Sequence, residues 1–186
     1  MPKIADIEPT PNPNAVKFIL KEPLTWGISC SFASTEQAAD DPLASALFAI
    51  DHVTNVFYVD HWLTVTQDGQ ADWETLVRQL AVPIRAAAGA DENSARLVDQ
   101  APAARHEMTA EEEGRFTRIN ELIDRQVRPY LQGDGGDLHL LGLRDTTLTL
   151  HYQGACGTCP SSISGTLAAI RNLVHSIEPD IEIVAV

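Results

Sequence analysis

The sequence predicts an α+β protein made of two small domains joined by a linker. Apolar patterns with both helical and strand periods occur on either side of residues 89–107. That central stretch is rich in Ala, Asp, Glu and Gln and lacks apolar periodicity, which is typical of a linker. The predicted boundaries are therefore 1–88, 89–107 and 108–186, with a short helical piece around Ser94–Val98 that could extend the first domain.

The composition favours packed cores and disfavours two classes of partner. Hydrophobic residues make up 44% of the 186 residues, enough to fill the interior of two small domains. A formal net charge of −13 repels the phosphate backbone, so we expect no nucleic-acid partner. No window approaches the roughly 18 consecutive apolar residues of a membrane span. Met1–Pro13 resembles no targeting segment, so we expect a protein that acts where it is made.

The first domain begins with a proline-rich, extended entry at Pro9–Asn14, because proline fixes φ and restricts the residue before it. Apolar residues at helical spacing within Ser34–Ile50 predict helical pieces, and Pro42 is expected to split them. Asp72 can cap a following helix that contains Trp73 and Leu80. Strands are predicted over three ranges, namely Ala15–Leu20, Asn55–Val59 and Trp62–Gln67.

The second domain begins with a helix that carries its own start signal. Thr109 and Glu112 have the spacing of a capping box. The helix is predicted to run to about Leu131, with Pro129 kinking or tightening its end. Its expected apolar face consists of Phe116, Ile119, Ile123, Val127 and Tyr130.

The remainder of this domain predicts a hairpin, a second helix and a closing strand. The glycine segment, Gly133–Asp137, is a strong turn signal. Its Asp134 and Asp137 suit turn formation and helix capping better than acid–base chemistry. The later elements are a hairpin over Leu138–Leu143 and Thr146–Tyr152, a helix with Ile163, Leu167, Ile170 and Val174 inward, and a strand over Ile181–Val186. This order gives a helix–hairpin–helix–strand α/β sandwich.

Two of the three cysteines form a Cys-x-x-Cys sequence at the start of the second helix. Pro160 suits the first helical position, which would put Cys159 near the N-cap and Cys156 on the loop before it. The helix dipole and unpaired N–H groups there favour thiolates. Since Gly154 and Gly157 carry no side chains, we expect the site to be open.

The number of ligands limits what this pair can bind by itself. Thiolates are soft ligands that suit iron–sulfur clusters or zinc, and both need about four ligands. Two chains meeting at this loop would supply four thiolates, and a cluster held there would be removable. A zinc site would need a second ligand pair, with His139 and His151 as candidates, and a dithiol redox site is the other alternative. The remaining cysteine, Cys30, is expected to be a small buried hydrophobe.

Several segments, in combination and at matching spacing, resemble the NifU-like (Nfu-type) family of iron–sulfur scaffold proteins. The second domain carries the resemblance through Arg128-Pro129, Gly133–Leu138 and Gly154–Ser162, and the first domain through Pro9–Asn14 and Ser31–Ser34. The resemblance implies a scaffold or carrier that is not an enzyme.

The same resemblance implies the cargo and the partners. It implies a [4Fe–4S] cluster ligated by Cys156 and Cys159 of two subunits, so that the loaded form is a homodimer. The assembly machinery would be the donor and apo iron–sulfur proteins the recipients. Mitochondrial members begin with a transit peptide that this sequence does not show, so the resemblance implies a bacterial, cytoplasmic protein.

Overall fold

A computed structural model describes residues 1–90, 108–158 and 160–186, with the backbone alone described at 158 and 160–164. The chain forms two compact units, Met1–Gln100 and Ala101–Val186. Both contain helices and a sheet, which confirms the predicted α+β class. Within the described ranges, no helix combines the length and the apolar character needed to cross a membrane. The helical piece predicted at Ser94–Val98 lies outside the described residues.

The first unit is built on a five-stranded sheet in the order β1-β2-β5-β4-β3. Every pair of neighbouring strands in it is antiparallel. The predicted central strands are confirmed, whereas the sequence analysis missed the two edge strands, β1 and β3. The strands are β1 (Ile4–Pro9), β2 (Ala15–Leu20), β3 (Cys30–Phe32), β4 (Val53–Val59) and β5 (Trp62–Gln67).

Two helices, α1 (Pro42–Phe48) and α2 (Trp73–Ala86), pack against this sheet. Asp41 caps α1 by accepting a hydrogen bond from the Ala44 backbone, and Pro42 begins the helix. Pro42 therefore divides the stretch as predicted, but residues 35–40 before it form turns and not a second helical piece. Asp72 caps α2 as predicted, through a 3.0 Å bond from the Thr75 N–H.

The second unit has the predicted order of elements, with helices covering one face of a three-stranded sheet. The sheet order is β6-β7-β8, with the first pair antiparallel and the second parallel. The elements are α3 (Ala110–Gln126), α4 (Arg128–Gly133), β6 (Gly136–Arg144), β7 (Thr147–Gly154), α5 (Ala155–Thr158), α6 (Pro160–His175) and β8 (Glu182–Ala185).

The first helical segment of this unit starts as predicted but is broken at Val127. Thr109 and Glu112 form the expected reciprocal capping box. The helix stops at Gln126, and α4 restarts at Arg128. Because this break changes the rotational phase of the helix, Tyr130 is 75% exposed and does not belong to the apolar face predicted for it.

A β-bulge divides β6 into two halves. The register shifts between Leu140 and Gly142, so the alternation of faces restarts there. Leu138 and Leu140 before the bulge and Leu143 after it consequently all reach the core. Gly136, at the start of β6, pairs with Gly154 at the end of β7.

Candidate functional site

Cys156 lies where β7 ends, at the edge of the sheet where β6 begins with Gly136. Cys156 belongs to the short helical turn α5, so the prediction that it lies on a loop was wrong. The next helix begins at Pro160, as predicted. Cys159 lies outside the described residues.

Cys156 is buried, with 2% of its surface exposed, and it packs in the apolar core of the second unit. A Cβ on Gly136 would lie 2.6 Å from the Cys156 Sγ. Gly136 shares a face of β6 with Leu138 and Leu140, so the sulfur occupies the space of the side chain that Gly136 lacks. The expectation of an open site is therefore wrong for Cys156, because the glycine leaves a hole that the sulfur itself fills.

Glycines from two separate parts of the chain allow this close packing. Gly135 and Gly154 have positive φ values of 80° and 65°, which the chain needs at the entry to β6 and at the exit from β7. The Ala155 N–H donates a 3.1 Å hydrogen bond to the carbonyl of Gly135. The glycine segment and the cysteine turn predicted from the sequence thus meet directly in the fold.

The acidic residues of the glycine segment have structural positions. Asp134 is the C-cap residue of α4, as predicted. Asp137 is buried, forms an ion pair with Arg128 and accepts a 3.2 Å bond from the Gln132 side chain. Arg128 also donates a 2.8 Å bond to the carbonyl of Leu138. Asp137 thereby fastens α4 to β6 beside the cysteine turn, a role that the sequence analysis did not predict.

Tyr152 is a residue of this site that the sequence analysis missed. It is 7% exposed and packs in the same core cluster as Cys156. Its hydroxyl is buried and has no hydrogen-bond partner among the described residues. Burial, and to a smaller extent negative charge on Cys156, raise the pKa of Tyr152 to about 12. The available sequence signal was the alternation that places Tyr152 on the core face, two residues before Gly154.

The two histidines of the hairpin face each other on the opposite side of the sheet from the core. His139 pairs directly with His151 and both are half-buried. The ring nitrogen Nδ1 of His151 lies 2.7 Å from the carbonyl oxygen of Val186. In the part of the chain that the structure describes, no three His, Cys, Asp or Glu side chains form a group that could hold a metal.

Cys30 behaves as the buried residue that the sequence predicts. It is 5% exposed and belongs to the core of the first unit. Burial raises the pKa of its thiol to about 11, although a hydrogen bond with Tyr58 opposes the shift. The Tyr58 hydroxyl in turn donates to Asp41, the residue that caps α1. These contacts explain the position of Cys30 by packing and hydrogen bonding within the first unit.

Both units match models of known protein families. Residues 4–89 match the family described as scaffold protein Nfu/NifU N terminal. Residues 119–185 match the NifU-like domain.

Related proteins cover almost the whole chain. The human mitochondrial NFU1 iron-sulfur cluster scaffold homolog is 33% identical over 93% of this chain and 67% of its own length. The mitochondrial NifU-like protein 5 of Arabidopsis thaliana is 33% identical over 89% of this chain and 61% of its own length. The Drosophila ananassae NFU1 homolog is 31% identical over 93% of this chain. The chain spans 60–67% of the length of these three relatives.

Among solved structures, a NifU-like protein from Saccharomyces cerevisiae aligns with 46% of this chain and 80% of its own. The alignment has a TM-score of 0.41 and 22% sequence identity. The two family matches and the relatives at 30% identity or more together show that this chain belongs to the Nfu/NifU family of scaffold proteins.

Proposed function

We propose that this chain is an iron–sulfur cluster scaffold that holds a [4Fe–4S] cluster between two copies of itself and passes it to apo iron–sulfur proteins. Membership of a family whose relatives are named as iron–sulfur cluster scaffolds supports the general role. The observation that carries the proposal is the shortage of soft ligands. The second unit has two cysteines, Cys156 and Cys159, which is fewer than the about four ligands that a cluster needs.

A cluster that needs about four ligands must then draw thiolates from two chains. Each subunit would contribute Cys156 and Cys159, and the loaded form would be a homodimer. Transfer would proceed by exchange, in which recipient cysteines displace these thiolates one at a time. This exchange needs no general acid or base from the protein, so the proposed role is not enzymatic.

The buried position of Cys156 adds one step to this proposal. Because only 2% of the Cys156 surface is exposed, its sulfur must move outward before it can share a cluster with a second chain. Gly154, with its positive φ, and the exposed Gly157 lie on either side of Cys156. Since glycine has the widest backbone freedom, we expect the backbone to rotate at these two residues. We therefore expect loading to displace α5 from its position against Gly136.

Anaerobic reconstitution with iron and sulfide tests the proposal. The wild-type chain should become a brown dimer with about four irons per dimer, and Mössbauer spectroscopy should identify the cluster type. Cys156→Ala and Cys159→Ala should each lose the cluster while the helical signal in circular dichroism is retained. Cys30→Ala is the matched control, because Cys30 lies in the core of the first unit, and this variant should keep the cluster.

A colourless wild-type monomer with strong disulfide-reductase activity would contradict the proposal and favour the dithiol alternative. Retention of zinc in place of iron would favour the zinc alternative. Loss of the cluster only in the Cys30 variant would contradict the ligand assignment. The bacterial, cytoplasmic location stays a prediction, and the relatives named above are mitochondrial.

A further inference from the structure

The first unit contains a cavity of about 310 Å³ that is bounded by α1 and by the last turn of α2. Its wall is mostly apolar and includes Leu24, Leu43 and Pro83. Ala46 and Ala86 belong to the same wall and are exposed, so the cavity can be reached from the solvent. An accessible cavity of this size, with apolar walls and few polar groups, has the usual form of a binding site.

The charge in this cavity is negative and comes from one side chain. Asp41 is the single charged residue among the described residues that line it, and Tyr58 lies beside it in the wall. One oxygen of the Asp41 carboxylate accepts a 2.7 Å bond from the Ala44 N–H, and the other accepts from the Tyr58 hydroxyl. A carboxylate has about four acceptor positions, so each oxygen can accept a further bond. The tyrosine therefore fixes a carboxylate that still has capacity for a ligand.

The end of α2 adds to the negative potential of the cavity. Ala86 and Ala87 form part of the wall, and α2 ends between them. The last carbonyls of a helix lack partners within it and carry the negative end of the helix dipole, which favours a cation. The opposite charge, at the N-terminus of α1, is already taken up by Asp41 as the capping residue.

A cation with an apolar stem matches both properties of the cavity, and lysine and arginine side chains have this form. The net charge of −13 would attract basic surfaces over a longer range. Trp26, which directly follows Thr25 of the wall, is 52% exposed, and tryptophan is enriched where proteins bind proteins. We propose that this cavity binds a lysine or arginine side chain of a partner protein, with the charged end at Asp41. All of these residues lie in the first unit, so the inference stands independently of the scaffold function.

The test follows backbone amide signals of the full-length chain by NMR while blocked amino acids are added. The probes are the N-acetyl N-methylamides of lysine, arginine and norleucine, of which norleucine has the apolar stem without the charge. The lysine and arginine probes should shift the signals of Thr25, Leu43 and Ala87 in a saturable way. We expect dissociation constants of roughly millimolar order, because a single side chain buries little surface. Norleucine should bind at least about tenfold more weakly, since it makes no charged hydrogen bond.

Two variants and a control connect this binding to the cavity. Asp41→Asn removes the charge but keeps an N-cap, and it should weaken binding of the basic probes about tenfold or more. Asp40→Asn is the matched control, because Asp40 is exposed, lies next in the chain and is not part of the wall. It should change their binding by less than about twofold, since salt screens a distant charge. Ala46→Phe fills the cavity from an exposed position and should abolish binding of all three probes while the helical signal in circular dichroism is retained.

Four results would overturn the inference. Equal affinity for norleucine and lysine would make the cavity an apolar site. Equal weakening in Asp40→Asn and Asp41→Asn would assign the effect to overall charge. Shifts that persist in Ala46→Phe would place the binding outside the cavity. Tighter binding of free butylammonium than of blocked lysine would identify a small amine, and not a protein side chain, as the ligand.

Discussion

Replacing Gly136 with alanine tests whether the Cys156 sulfur fills the space that this glycine leaves on the sheet. The new Cβ would lie 2.6 Å from the Cys156 Sγ and 2.7 Å from the Gln153 carbonyl oxygen. Both distances are shorter than ordinary van der Waals contact. The carbonyl belongs to the backbone of β7 and cannot rotate away, so a strand or α5 must shift.

Overpacking of this kind costs about 1–3 kcal/mol of unfolding free energy, and the backbone contact puts this case at roughly 2–3 kcal/mol. For a domain of about 60–100 residues, that loss lowers Tm by roughly 10–20 °C. Adding Cys156→Ala should recover only part of the loss, because the contact with the Gln153 carbonyl remains.

The tryptophans allow the two units to be observed separately. All three, Trp26, Trp62 and Trp73, lie in the first unit. In Gly136→Ala, far-UV circular dichroism should show an earlier unfolding transition, while tryptophan fluorescence should show the wild-type transition. Gly165→Ala is the control, because a Cβ there meets no atom within 4 Å and alanine favours the helix by about 1 kcal/mol. Equal stability of the Gly136 variant and the wild type would refute the proposed packing.

Three further predictions concern single side chains. Asp137→Ala should lower the unfolding free energy by about 1–3 kcal/mol in urea titrations, because it removes the buried carboxylate that bonds Arg128, which keeps only Asp124 and the Leu138 carbonyl. Backbone N–H groups of Thr109 and Asp145 lower the pKa of Glu112 to about 2 from 4.5, so its stabilising contribution is complete above pH 4.5 and is lost as the pH falls towards 2. Glu112→Gln should therefore flatten the fall of Tm over that pH range. Cys30, with a pKa of about 11, should resist iodoacetamide at about pH 8 in the folded protein, as mass spectrometry would show.

Each of these predictions has its own control. Asp124→Ala removes a more exposed partner of Arg128 and should cost no more than about 1 kcal/mol, so an equal loss in both variants would contradict the assignment. An unchanged pH profile in Glu112→Gln would show that other carboxylates control acid unfolding. Rapid alkylation of Cys30 without denaturant would mean that the core of the first unit opens readily.

Local signals were sufficient for the elements that carry strong periodicity or caps. Asp72, Thr109 and Pro160 each mark a helix start that the structure confirms. The two missed strands lie at the edges of the first sheet. β3 has three residues, too few for a periodic pattern, and β1 carries charged residues at Asp6 and Glu8. Their extended form depends on pairing with β2 and β4, which no local pattern contains.

The site shows a different limit of sequence reasoning. Glycines beside a cysteine were interpreted as a sign of exposure, yet Gly136 makes a cavity that Cys156 fills. Whether the cysteine is exposed or buried depends on the strand register that places Gly136 opposite Gly154. That register is a property of the folded sheet. Tyr152 was missed for a related reason, because only the fold shows that its hydroxyl is unpaired.

The bulge between Leu140 and Gly142 separates two tasks within one hairpin. After the bulge, the two strands end in a tight turn at Asp145, where φ is 53°. Before the bulge, at Gly136, the sheet leaves the space that the Cys156 sulfur fills. Because a bulge absorbs changes in strand twist and in side-chain alternation, mutations in the Asp145 turn need not alter the packing of Cys156 against Gly136. Replacing the turn at Asp145 should thus leave the packing around Gly136 unchanged, and deleting Leu141 should remove the bulge and keep Leu138, Leu140 and Leu143 on one face of a regular strand.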